Sequence, residues 1–458
     1  MISTMLARNY FEKHRETILS DWFEFLRFPT IGTDRLRLRD CSQCAAWLKR
    51  YLKPMGFETS IQLTCGQPVL LAERPGKSGA PVILFYGHYD VQPADPLELW
   101  TTQPFEPELR DGRVYARGAS DNKGQLFAFL QGVAALLDAS TEIPTIRMVL
   151  DGEEESGSSG LLSGMNDWRK QLQADVMMVC DSGVHESGRP AIIAGLRGII
   201  QMTVTLRGAP RDLHSGTHGG LAPNAAAGMA RLLACLHDPN GRIAVPGFLE
   251  RVTPPTPQEL ALANAEPFDS SQYLREIGVA PVGGEAGLSA MQRNSFQPTI
   301  EVNSVHSGYS GPGFKTVIPS LAIAKLSARL CPGQSTRESA EQIIDHLRAH
   351  CPAGLTLEIT DVANGAPALR LPVDTPLMRM AEDVLQQIDP RGAVFKWEGA
   401  SIPVVGALRD VSGASPLLVG FCREEDSIHA PNESFGLDQF QNDMVYASLM
   451  LDALAGNS

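Results

Sequence analysis

Between residues 9 and 26, Phe11, Ile18, Trp22 and Leu26 recur on one side of a helical wheel, which predicts an amphipathic helix. Pro81-Val-Ile-Leu-Phe-Tyr86 is a nearly continuous apolar run, the pattern of a strand buried on both faces. Leu126, Phe129, Val133 and Leu137 return to helical spacing, while Thr145 to Leu150 and Asp175 to Cys180 read as further strands. This alternation of helix and strand predicts an α/β domain.

Near Arg197 the pattern changes. Ile199 to Leu206 is strand-like, 223–237 helical, 299–303 and 320–330 strand-like, 335–350 helical and 355–361 strand-like. Two helices among four strands predict a small α+β layer, ferredoxin-like in style. Residues 239–298 hold eight prolines and little periodicity, so an irregular excursion is expected there. From about residue 369 the α/β character returns, with a helix at 375–388, a strand at 416–421 and a closing helix at 437–454. The expected organisation is a domain in two parts, 1–197 and 369–458, with 198–368 inserted into it.

Composition narrows the function classes. A length of 458 residues suggests roughly two or three domains. A hydrophobic share of 43% with 20% charged residues describes a folded chain. The net charge is −13, without a Lys/Arg block, which argues against nucleic acid or an anionic membrane as the main partner. Met1 to Asn9 lacks the basic stretch and apolar run of a signal peptide, and no apolar stretch approaches the roughly 18 residues of a bilayer span. A soluble cytoplasmic protein is expected. The eight cysteines are too scattered for a disulfide framework. Cys41-Ser-Gln-Cys44 has no second CxxC to complete a zinc ribbon; Cys44, Leu48 and Tyr51 share one helix face, so core packing is the expected role.

The chemistry gathers behind the strand-like runs. His88 and Asp90 follow 81–86, Asp121 precedes the helix at 123–138, and Glu153-Glu154-Glu155 follows 145–150. Asp181 follows 175–180, and Asp426-Ser-Ile-His429-Ala-Pro-Asn-Glu433 follows 416–421. In an open α/β sheet, residues beyond the carboxyl ends of the strands converge on one crevice. Two imidazoles with several carboxylates suit a divalent cation. Each piece has a plainer reading when taken singly: Asp121 as a helix cap, the glutamates as a solvated face, His429 as a surface histidine. Gly308 to Thr316 brushes against a phosphate loop, but Phe314 interrupts the Gly-Lys and no helix pattern follows. His14, His185, His237, His306, His346 and His350 read as surface or packing histidines.

These motifs carry a family resemblance. His88-Tyr-Asp-Val-Gln-Pro93, Gly112 to Gly124 around Asp121, Glu154-Glu155-Ser-Gly-Ser158, Gly195-Leu-Arg-Gly198, Asp212-Leu-His214-Ser-Gly216, Gly311 to Pro319 and Glu398 to Pro403 run in family order over nearly the whole chain. The chain resembles the dinuclear-metal aminoacylase/carnosinase peptidase family, and most its cytosolic nonspecific dipeptidase branch. The resemblance implies a mixed-sheet metallopeptidase catalytic domain with an inserted ferredoxin-like lid and dimerisation domain. It implies two divalent metal ions per subunit, zinc by preference, with manganese or cobalt as alternatives. His88, Asp121 and Asp181 would hold one ion and Asp121, Glu155 and His429 the other, with Asp121 bridging. Asp90 would orient His88, and Glu154 would activate a water shared by the two ions. His214 from a partner subunit would face the scissile carbonyl, while Arg329 and Thr316, with Ser401 close by, would meet the substrate carboxylate. Trp397 departs from the polar or basic residue expected before Glu398-Gly399. The implied function is hydrolysis of small peptides, most of all dipeptides, by a homodimer joined through the inserted domain. An N-acyl-amino-acid deacylase of the acetylornithine or succinyl-diaminopimelate type is the same-class alternative, and a non-catalytic binding protein on the same fold the remote one.

Overall fold

Ile83–His88 is buried along its whole length, as its unbroken apolar run requires, and it is flanked on both sides in a mixed sheet. The computed structural model describes residues 3–139 and 142–456. Within it the chain forms two units: Met1–Ala194 with Leu371–Lys396 and Val404–Ser458, and Gly195–Arg370 with Trp397–Pro403.

The sheet of the first unit runs, in spatial order, Glu58–Gln62, Val69–Arg74, Ile146–Asp151, Ile83–His88, Val176–Val179, Ser415–Gly420 and Ala191–Leu196. Ile83–His88 is parallel to Ile146–Asp151 and to Val176–Val179, and Ser415–Gly420 is parallel to the latter. The register pairs His88 with Asp151, so the loops after these parallel strands leave from one edge of the sheet. That edge carries the candidate chemistry.

Lys123–Ala139 and Leu437–Leu454 are buried over most of their lengths and pack together, with Thr4–Leu26 against both. A Cβ on Gly132 would lie 2.6 Å from that of Ala447, so glycine is what permits the close crossing. Trp22 stacks on Phe440 at 4.7 Å. The first helix starts earlier than periodicity predicts because Ser3 caps it, accepting the Leu6 amide. Cys41 and Cys44 lie fully buried on Leu38–Leu52, and burial pushes both thiols up to about 12. They pack the core and are unsuited to redox exchange at neutral pH.

In the second unit, Thr299–Ser307, Leu321–Leu330, Gly198–Arg207 and Thr356–Ala366 form an antiparallel sheet in that order. Leu321–Leu330 alternates between buried and more exposed positions, as a half-buried strand must. Leu326, Met202 and Val204 share one core with Met229 and Leu232 of Ala225–Ala234 and Ile343 and Leu347 of Thr336–Ala349. Both helices therefore cover the same face of the sheet. The expectation for 239–298 requires correction, since Pro257–Ala263, Ser270–Ile277 and Ala290–Ser295 are short helices. Pro257 occupies a helix's first turn, where it lacks no needed donor, and Thr256 with Glu259 forms a capping box before it. Proline there starts helices instead of preventing them. Among the described residues no helix is long and apolar enough to cross a membrane.

Candidate metal centre

His88 ends its strand almost fully buried. Its Nε2 lies 3.1 Å from Asp121 Oδ1 and 3.6 Å from Asp181 Oδ1, and its Nδ1 lies 3.2 Å from the Asp90 carbonyl and 3.3 Å from Asp90 Oδ1. Asp121 turns its other oxygen elsewhere: Oδ2 lies 2.9 Å from His429 Nε2, which is also 3.3 Å from Glu155 Oε1. The structure thus brings together two triads, His88–Asp121–Asp181 and Asp121–Glu155–His429, each with ligand atoms within 4.8 Å of one another. One carboxylate is common to both.

Hydrogen bonds from the backbone hold these side chains. Asp90, fully buried, accepts the amides of Glu154 at 3.0 Å and Glu155 at 3.1 Å. Gly32 allows this, because a Cβ there would stand 2.6 Å from Asp90 Oδ2. The three consecutive glutamates separate. Glu153 accepts Ser159 Oγ and the Gly160 amide, both at 2.9 Å, and so anchors the following helix. Glu155 Oε2 accepts Gln92 Nε2 at 2.8 Å, while its buried Oε1 faces His429 Nε2 at 3.3 Å. His429 is half exposed in a loop whose Ser427, His429 and Asn432 take left-handed backbone angles (φ +56, +63 and +63). Such conformations cost on the order of 1 kcal/mol each and persist where the surrounding structure dictates them.

The electrostatics of the cluster follow from its crowded acids and imidazoles. Hydrogen bonds to Asp121 and Glu155 push His429 up to about 10. Burial opposes charge on His88, yet Asp181, Asp121 and Asp90 hold it well above its ordinary value. Asp121 is driven well below the carboxylate range by His429 and His88 despite its burial. Burial, reinforced by Asp181, Glu155 and Asp121, pushes Glu154 well above the range of a free glutamate. This is a site dense in negative charge. A carboxylate shared by two imidazole-containing triads, amid buried carboxylates in excess of the two imidazoles, fits two divalent cations, and the mixed oxygen and nitrogen donors suit zinc, manganese or cobalt.

Sequence reasoning passed over Glu433, Asn122 and Gln92. Glu433 accepts the amides of Gly118, Ser120 and Asp121 and the buried Arg117 guanidinium. Asn122 accepts the His88 amide at 3.3 Å and donates to Asp181 Oδ1 at 3.0 Å. Their signal was proximity to the ligand motifs, but only packing shows that they face inward.

The remaining candidates belong to the second unit. His214, exposed, ends the strand Leu213–His214 paired with Val317–Ile318, and Thr316 beside it accepts the Ser215 amide at 3.0 Å. The Gly216 amide donates to His214 Nδ1 at 3.1 Å, which leaves the ring proton on Nε2. Arg329 Nη1 donates to Ser401 Oγ at 2.7 Å, and Ser401 Oγ donates in turn to the Arg197 carbonyl. Trp397 is buried against Phe296, their rings 5.3 Å apart.

The chain is 26% identical over 445 residues to the Beta-Ala-His dipeptidase of Rattus norvegicus, covering 94% of this chain and 87% of the relative. It is 28% identical over 385 residues to the Cys-Gly metallodipeptidase dug1 of Schizosaccharomyces pombe, covering 81% and 80%. The metallo-carboxypeptidase Sso-CP2 of Sulfolobus solfataricus superposes with a TM-score of 0.86 at 27% identity, over 96% of this chain and 99% of the other. The family model described as Peptidase family M20/M25/M40 matches residues 84–452, and the chain belongs to that metallopeptidase family.

Proposed function

We propose that this enzyme is a cytoplasmic homodimeric dipeptidase that hydrolyses the single peptide bond of its substrate at the His88–Asp121–Asp181 and Asp121–Glu155–His429 cluster. The observation that carries the reading is Asp121, whose two oxygens each face a different histidine. His88, Asp121 and Asp181 would hold one divalent ion and Asp121, Glu155 and His429 the other, zinc being the expected metal. Such a pair, when bound, supplies Lewis acidity that lowers the pKa of water and polarises the amide carbonyl.

The chain's own residues supply the proton transfers and the positioning. Glu154, tied through its amide to Asp90 beside ligand Glu155, takes a proton from the attacking water and returns it to the leaving amine. Asp90 braces His88 and both glutamate backbones, so it acts as a positioning residue. His214, with its proton on Nε2, donates to the carbonyl oxygen as negative charge develops there, and in the homodimer this histidine comes from the other subunit's inserted domain. Arg329, oriented by Ser401, pairs with the substrate's free carboxylate, and Thr316 adds a further contact.

The test is a panel assay on metal-reconstituted protein. Free dipeptides should be hydrolysed much faster than dipeptide amides, N-acetyl or N-succinyl amino acids, and longer peptides. Preference for N-acyl amino acids would overturn the dipeptidase reading in favour of a deacylase, and stepwise shortening of long peptides would make the enzyme a carboxypeptidase.

A further inference from the structure

We infer that Cys235, His346 and His350 of the second unit form an additional site for one zinc-type cation. The Cys235 sulfur and one nitrogen from each imidazole all lie within 4.8 Å of one another. The three residues come from the ends of the two helices that cover the sheet. Cys235 is the C-terminal cap of Ala225–Ala234, His350 caps Thr336–Ala349, and His346 lies one turn before it. Helix C-termini carry the negative end of the macrodipole, so two such ends meeting favour a cation.

Backbone carbonyls hold both imidazoles in place. His346 Nε2 lies 2.9 Å from the Cys235 carbonyl oxygen, and His350 Nδ1 lies 2.8 Å from the His346 carbonyl oxygen. A backbone carbonyl on one ring nitrogen sets the tautomer and orientation of a metal-bound histidine. The other nitrogen of each ring has no hydrogen-bond partner among the described residues, and the rings lie 4.2 Å apart. One thiolate and two imidazoles form a borderline-soft set, unlike the carboxylate-rich cluster of the first unit, and suit zinc with water as a fourth ligand. His346 is buried, Cys235 partly buried and His350 exposed, so the ion enters from solution at the His350 side. The Cys235 thiol now donates to the Leu232 carbonyl at 2.9 Å. On binding, the sulfur gives an electron pair to the cation and its proton passes to solvent, one proton per ion. The ion would add a coordinate link between the ends of two helices already joined by the His346–Cys235 hydrogen bond.

The experiment uses the full-length protein, first saturated with zinc and freed of excess, then with cobalt(II) in its place. The wild type should hold one more zinc per chain than Cys235→Ser or His350→Ala. Its cobalt(II) form should show a thiolate-to-cobalt band in the near ultraviolet that both variants lose. His350 is exposed, so its replacement leaves the core intact, and dipeptide hydrolysis by both variants should stay within about twofold of wild type. Asp121→Ala should lose ions from the carboxylate cluster yet keep the band, which separates the two sites. Equal zinc content in wild type and His350→Ala, a band that survives Cys235→Ser, or a band lost with Asp121→Ala would overturn the inference.

Discussion

Replacing Glu433 with glutamine removes one charge and one acceptor from a residue that touches no metal ligand's side chain. Each Glu433 oxygen serves two donors: Oε2 accepts Arg117 Nη1 at 2.8 Å and the Gly118 amide at 2.9 Å, and Oε1 accepts the Ser120 and Asp121 amides at 2.9 and 3.0 Å. Glu433 and Arg117 are both almost fully buried. In Glu433→Gln one oxygen becomes an amino group, so two donors face a donor and Arg117 loses its counter-charge. An orphaned buried donor costs about 1–3 kcal/mol, and breaking a buried ion pair about 3–5 kcal/mol. The two accounts overlap at Arg117, so the first unit should lose about 3–5 kcal/mol of stability. One of the affected amides belongs to Asp121, which moves with its loop, and losing such support should weaken metal binding by about 10- to 100-fold without changing the number of ions bound. Four of the five tryptophans, Trp22, Trp47, Trp100 and Trp168, lie in the first unit, so denaturant unfolding followed by tryptophan fluorescence reads the stability directly. Chelator competition reads the affinity. A variant within about 1 kcal/mol of wild type and with unchanged metal affinity would refute the assignment of Glu433 as the support of Asp121.

Glu154→Gln should keep its full metal content while kcat falls by roughly two to four orders of magnitude; near-normal turnover would place the base elsewhere. Arg329→Ala should lose about 30- to 1000-fold in kcat/KM on free dipeptides and most of its discrimination against dipeptide amides, and a variant that still strongly prefers the acid would free Arg329 from the carboxylate. Inactive His214→Ala and Glu154→Gln chains, once shown to exchange subunits, should regain activity when mixed, because some hybrid sites combine an intact His214 with an intact Glu154. No recovery would mean that each subunit supplies its own histidine.

Where hydrophobic pattern and element length coincide, the chain announces its fold. The buried run before His88, the closing helix 437–454 and the alternation of Leu321–Leu330 follow from local periodicity, since side-chain direction repeats on a fixed period in each element. The short helices within 257–295 were invisible because each spans two turns or so, too little for a pattern, and because proline at a helix start reads as a breaker. The start of the first helix depended on a single capping serine that periodicity cannot weigh.

The same division runs through the site. Residue types and their positions behind the strands were enough to gather two histidines and several carboxylates and to indicate a divalent metal, because chemistry belongs to the side chain itself, whereas the particular set His88, Asp121, Glu155, Asp181 and His429 came from the family resemblance. Tertiary structure alone decided that Asp121 divides its oxygens between two histidines separated from it by 33 and 308 residues, and that Glu153 turns away from its two neighbours. It also decided that Glu433 is a buried support and that Cys235 meets His346 across 111 residues. Those facts depend on which long-range neighbours pack together and how far burial strips water from a charge, and neither is written in the local order of residues.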